Sequence, residues 1–101
     1  MIVNIINSHR DTVAIADKEL IGKQFFEGKK QLDVKKSFYA GENSKEMTEE
    51  EVKEIIIDWS REDATFNIVG EKSVSLATEM NLISEEGIGK IDGIPYSLIL
   101  L

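Results

Sequence analysis

Three times along this chain two short β-prone runs flank a tight turn signal, and that arrangement restricts the fold more than any other feature. Ile2 to Asn7 and Thr12 to Ala16 flank Ser8-His9-Arg10-Asp11. Gln24 to Glu27 and Gln31 to Lys35 flank Gly28-Lys29-Lys30, and Leu32 and Val34 alternate with Asp33 and Lys35 as in a half-buried strand. Ile88 to Ile91 and Ile94 to Leu101 flank Asp92-Gly93, a pair that supplies the positive φ angles of a type I′ turn. Pro95 cannot donate to a ladder, so its nitrogen is expected to face an edge or a bulge. Hairpins make antiparallel sheet, and such a sheet needs cover on at least one face.

The cover is legible in the second half. Thr48 and Glu51 have capping-box spacing, and Glu49, Glu50 and Glu51 lie at the positive end of the helix that follows. Val52, Ile55, Ile56 and Trp59 form its apolar stripe, with Ile57 partly outside. Thr65 to Val69 reads as a buried strand, with an extension of the preceding helix as the alternative. Gly70 breaks it, and Glu71 to Asn81 reads as a second helix burying Val74, Ala77 and Met80. Asp17 to Ile21 is expected to be a short helical turn with Asp17 as its N-cap and Gly22 as its stop, and Ser37 to Ser44 a loop. The expectation is one α+β domain over residues 1–101, a two-layer sandwich of mostly antiparallel sheet and two main helices.

Composition supports one core. The chain has 101 residues, 42% hydrophobic and 31% charged, which is the balance of a globular domain. It has no cysteine, so disulfides, thiol nucleophiles and cysteine-bearing zinc sites are excluded. No basic segment precedes the apolar start Met1-Ile2-Val3, and no apolar run approaches the ~20 residues of a membrane span. A cytoplasmic protein without membrane association is expected. The net charge of −7 disfavours a polyanionic partner at long range. Yet residues 1–40 carry seven Lys/Arg against five Asp/Glu, and residues 41–101 carry five against fourteen. Nucleic acid is therefore disfavoured globally but remains open locally.

Chemistry-bearing motifs are sparse. His9 is the single histidine, in a polar turn with no nucleophile in view. No His pair or EF-hand spacing supports a metal, and the Glu49 to Glu51 cluster is explained by helix capping. Gly87-Ile88-Gly89-Lys90 fails as a phosphate loop, because Ser84 and Ile91 stand where Gly and Ser/Thr belong. Two places remain. A strand passing through Gly70 into a helix leaves free N–H groups that can hold an anion, with Asn67, Gly70, Lys72 and Ser73 as its residues. Phe38 and Tyr39 before Gly41 can form a contact platform, with Lys23, Lys29, Lys30, Lys35 and Lys36 around it. The plainer alternatives are a strand-to-helix turn, an aromatic plugging the core, and lysines protecting a hairpin edge.

Several ordered segments resemble an archaeal family of about this length, the domain of unknown function number 424. They are Leu20-Ile21-Gly22-Lys23-Gln24-Phe25, Phe38-Tyr39-Ala40-Gly41-Glu42, Ala64-Thr65-Phe66-Asn67-Ile68-Val69-Gly70-Glu71 and Ile91-Asp92-Gly93-Ile94-Pro95. The resemblance implies an archaeal, cytoplasmic protein of unassigned activity, with an association with translation or ribosome maturation. Relatives often carry His after the Pro, where this chain has Tyr96, which argues against an acid–base or metal role there.

The leading expectation is a non-enzymatic interaction module, without catalytic residues, metal or cofactor. It binds a protein or nucleoprotein partner through Lys23, Lys29, Lys30, Phe38, Tyr39 and Gly41. The rival is a small-molecule or phosphate-binding protein, or an enzyme, centred on Gly70. A third expectation is a homo-oligomer joined along the apolar C-terminal strand, Leu98 to Leu101.

Overall fold

A computed structural model describes residues 1–101. In chain order the elements are β1 (Ile2–Ile6), β2 (Thr12–Ala16), β3 (Gln24–Glu27), β4 (Lys30–Asp33), α1 (Lys36–Tyr39), β5 (Lys45–Glu46), α2 (Glu49–Arg61), β6 (Thr65–Val69), α3 (Glu71–Glu79), β7 (Gly89–Ile91) and β8 (Ile94–Leu100). All three expected hairpins form. In the last, Asp92 and Gly93 adopt the positive φ angles that the turn requires, 53° and 77°. The segment read as a loop, Ser37 to Ser44, opens within one turn of helix, α1, and is followed by β5.

The strands β5-β1-β2-β6-β8-β7 form one six-stranded sheet, and β3-β4 a separate two-stranded one. Every pairing is antiparallel except β2 with β6, where Ala14 lies opposite Asn67 and Ala16 opposite Val69. That parallel pair occupies the centre of the sheet, and a parallel pair needs cover on both faces. On one face Val13, Ile15, Phe66 and Ile68 pack against Val52 and Ile56 of α2 and Val74, Leu76 and Ala77 of α3. On the other, Ala14, Ala16 and Val69 pack against Leu20, Val34 and Tyr39, with Phe25 and Leu32 beside them. The helices thus cover one face, as expected of an α+β sandwich. The β3-β4 hairpin and α1 cover part of the other, where two alanines leave room for close approach.

The capping box is present: Glu51 N–H donates to Thr48 Oγ1 at 3.2 Å and Thr48 N–H to Glu51 Oε1 at 3.0 Å. The Thr48 backbone bond first, then the Thr48 side chain, holds the Glu51 carboxyl below the usual glutamate value, against a small opposing effect of desolvation; the Lys45 charge helps. A lowered folded value contributes stability above the unfolded value and loses it as pH falls through the folded one. The stability difference between wild type and Glu51→Gln is therefore expected at neutral pH and should vanish on acidification, in urea midpoints measured across pH. Thr48→Ala should lower stability by about 1 kcal/mol in the same assay.

Candidate functional site

Two regions were marked by sequence, the Gly70 turn and the segment from Lys23 to Gly41, and the structure treats them differently. At the first, β6 enters α3 through Gly70, whose φ of 108° and ψ of 154° form the extended left-hand conformation open to glycine. No side chain of its own caps α3. The cap comes instead from the end of β2. Asp17, 4% exposed, accepts from Lys72 N–H at 3.0 Å and Ser73 N–H at 2.9 Å. It also accepts from the Ser73 hydroxyl at 2.7 Å. The Asp17 N–H in turn donates to Val69 O at 3.1 Å, and Gly70 N–H to Pro95 O at 2.9 Å.

This corrects two expectations. Asp17 makes no side-chain cap on the turn that it begins. Of the donors expected to await an anion, those of Lys72 and Ser73 are already engaged by an internal carboxylate, and Gly70 N–H is engaged by the Pro95 carbonyl. An incoming phosphate would have to displace a buried negative charge that occupies the same place. Asn67 is not part of this cluster; it lies mid-strand between Ala14 and Leu98. Sequence reasoning found Asp17 but assigned it to the wrong helix. The signal available was the parallel alignment of two strand ends, which only the sheet order reveals.

At the second region, Tyr39 is 8% exposed and belongs to the second core, where burial pushes its phenol above the ordinary value. Phe38 packs edge-on against it, ring centroids 5.0 Å apart, and is half-buried. The Phe38 carbonyl accepts from Asn4 Nδ2 at 2.6 Å, and a Cβ on Gly41 would meet that same Nδ2 at 3.0 Å. The Phe38 carbonyl thus ties α1 to Asn4 of β1, while the Tyr39 ring packs among Ala14 and Ala16 of β2 and Val69 of β6. The exposed aromatic is Phe26, at 58%. Adjacent strand residues face opposite ways, so with Phe25 turned into the core Phe26 must point out. That alternation is present in the sequence and marks Phe26 as the outward ring.

Lys23, Lys29, Lys30, Lys35 and Lys36 are all exposed. From Lys23 to Lys36 these five face only Glu27 and Asp33, a local charge of +3 on a chain of −7. The hairpin is held to the sheet by its inner residues, and Glu27 Oε1 accepts from Asp92 N–H at 2.9 Å. Its outer side, with Phe26 opposite Gln31 and Gln24 opposite Asp33, faces away from the body.

Two open clefts complete the surface. One, of about 510 Å³, lies between α2 and α3 and is lined by Glu49, Glu71, Lys72, Ser75, Leu76 and Glu79. The other, of about 310 Å³, lies at the C-terminal ends of both helices, with Ile56, Ile57, Met80, Leu82 and Leu101 as its apolar lining. The first sets Ser75 near Glu71, Lys72 and Glu79 without a hydrogen bond between them, and in the second the Ser60 hydroxyl donates to Ile57 O. His9 is exposed in its turn, as expected. No group of three or more His, Cys, Asp or Glu side chains is arranged to hold a metal ion, and no helix is long and apolar enough to cross a membrane.

The family model described as "Protein of unknown function (DUF424)" matches residues 6–101. Among solved structures, an uncharacterized conserved protein from Methanopyrus kandleri is similar in fold: TM-score 0.81, 23% identity, 97% of this chain and 88% of that one covered. Among curated proteins none matches.

Proposed function

We propose, from the premise that this chain belongs to the DUF424 family of proteins of unknown function, that it is a recognition module rather than an enzyme. Its partner is an acidic macromolecular surface, that of a protein or a nucleoprotein. The observation that carries this reading is the β3-β4 hairpin, where Phe26 is 58% exposed and the segment from Lys23 to Lys36 carries a local charge of +3 on an otherwise acidic chain. An exposed aromatic among lysines supplies contact area and charge attraction together, the combination used for acidic and nucleic-acid surfaces. The acidic body repels polyanions elsewhere, which restricts such a partner to the hairpin side. The amides of Lys72 and Ser73 already have an acceptor in Asp17, which weighs against the phosphate-binding reading.

The test compares wild type with the triple variant Phe26→Ala, Lys29→Glu, Lys30→Glu. All three side chains are exposed, so the fold should persist. Immobilised wild-type protein is expected to retain a partner from native archaeal lysate at physiological salt and to release it as salt rises. The variant should retain roughly a tenth as much or less, since each lost charge contact weakens association. Equal retention by both proteins would contradict the proposal.

A further inference from the structure

The strand β8 is longer than its outer neighbour. β7 pairs with Ile94 to Tyr96 only, so Ser97 to Leu100 have β6 on one side and no strand on the other. The bond from Gly70 N–H to Pro95 O fixes the phase of the ladder. Backbone groups alternate in direction along an antiparallel strand. Pro95, Ser97 and Ile99 therefore turn theirs to β6, while Leu98 and Leu100 turn theirs outward. The side chains of these same two residues are 57% and 68% exposed, on the end of the sheet that the β3-β4 hairpin leaves uncovered. The opposite margin of the sheet is blunted: β5 is two charged residues long, Lys45 and Glu46. From Pro95 to Leu101 there is no charged side chain at all. Natural edges of this length are normally charged, bulged or covered, because a bare apolar edge recruits another strand.

We infer that this edge pairs with the same edge of a second copy of the chain, antiparallel, about a two-fold axis through Ile99. Register suits a second copy. With Ile99 opposite its own counterpart, Leu98 of one copy stands opposite Leu100 of the other, and each such pair exchanges N–H to O=C bonds in both directions. Every outward backbone group of the edge is thereby engaged. Each exposed leucine gains an apolar neighbour directly across, at the spacing of a hydrogen-bonded pair. The same register sets Ser97 opposite Leu101 of the second copy. The Ser97 hydroxyl donates to Gly87 O at 2.8 Å, and Arg10 Nη1 donates to Leu101 O at 3.2 Å. Pairing therefore brings exposed Glu85 and Glu86 of one copy beside Arg10 of the other, twice over. The two six-stranded sheets become one continuous sheet.

Sedimentation equilibrium of the full chain tests this. Wild type is expected to be a dimer at micromolar concentration. Leu98→Pro removes an outward N–H that makes no bond to β6, and Leu100→Lys puts a charge into the seam. Each change occurs twice per dimer, so each should weaken dimerisation ~100-fold or more. Circular dichroism checks the fold of both variants, and if the proline variant does not fold the lysine variant decides alone, its side chain being mostly exposed. A monomeric wild type overturns the inference, whether the edge is then bare or taken by a different protein. A dimer that survives Leu100→Lys overturns it equally.

Discussion

Replacing Gly70 by alanine should lower stability by about 4 kcal/mol, the largest effect of any single methyl added to this chain. Two independent causes add. The backbone at φ 108° and ψ 154° is closed to residues with a Cβ, a strain of roughly 1–3 kcal/mol. A Cβ built there also collides with Asp17, against its Cβ, Cγ and Oδ2. Overpacking of that kind costs roughly 1–3 kcal/mol when neighbours cannot retreat. Asp17 cannot retreat without surrendering the N-terminus of α3. The urea midpoint of Gly70→Ala should fall accordingly, with the slope of the transition unchanged. Adding a Cβ at Gly22 or Gly28 meets no atom within 4 Å, so alanine there should be far milder.

Removing the carboxylate is the second large effect. Asp17→Ala leaves Lys72 N–H, Ser73 N–H and the Ser73 hydroxyl without their acceptor, with Ser73 only 2% exposed. Hydrogen bonds to a charged acceptor are worth about 1.5–3 kcal/mol net, and stranded buried donors add to the loss. Water can reach Lys72, which is exposed, and offsets part of it. The expected cost is about 3 kcal/mol by urea denaturation. Asp17→Asn should fall between, because its amide keeps one acceptor oxygen but turns an NH2 group toward a donor. Amide exchange should be fastest in the first turn of α3 in both variants, since that is where the lost bonds lie.

Local chemistry made much of the fold legible. The hairpins, the capped helix from Thr48 and the strand Thr65 to Val69 follow from turn residues, β-branched runs and cap spacing that act over a few positions. What local signals cannot show is which strands become neighbours. The parallel contact of β2 with β6 joins residues about fifty positions apart, and nothing in either run announces it. That contact is also what brings Asp17 to α3, so the identity of the cap was hidden with the topology. The aromatic pair Phe38-Tyr39 misled for a related reason: a helical turn at α1 buries one ring and half-buries the other, whereas a loop would have displayed both. Phe26 was legible in principle, since strand alternation forces one of two adjacent phenylalanines outward. The Leu98 to Leu101 strand was recognised as apolar, but β8 is not the last strand of its sheet. Only its second half is bare, because β7 is three residues long.

These observations divide the molecule by role. The Gly70 turn is a joint, in which one carboxylate ties the end of β2 to the start of α3 while Pro95 of β8 holds the glycine amide. Recognition then falls to surfaces outside the joint, the basic hairpin first among them. The double-mutant cycle of Asp17→Ala and Gly70→Ala, measured by urea unfolding, tests this division most directly. If the aspartate and the glycine form one closed unit, the double variant loses less than the two single losses together, by about 1 kcal/mol or more, because removing the carboxylate relieves the two closest contacts, those with Cγ and Oδ2. Losses that simply add would mean that Asp17 does not occupy the turn, leaving its amides free for an external anion.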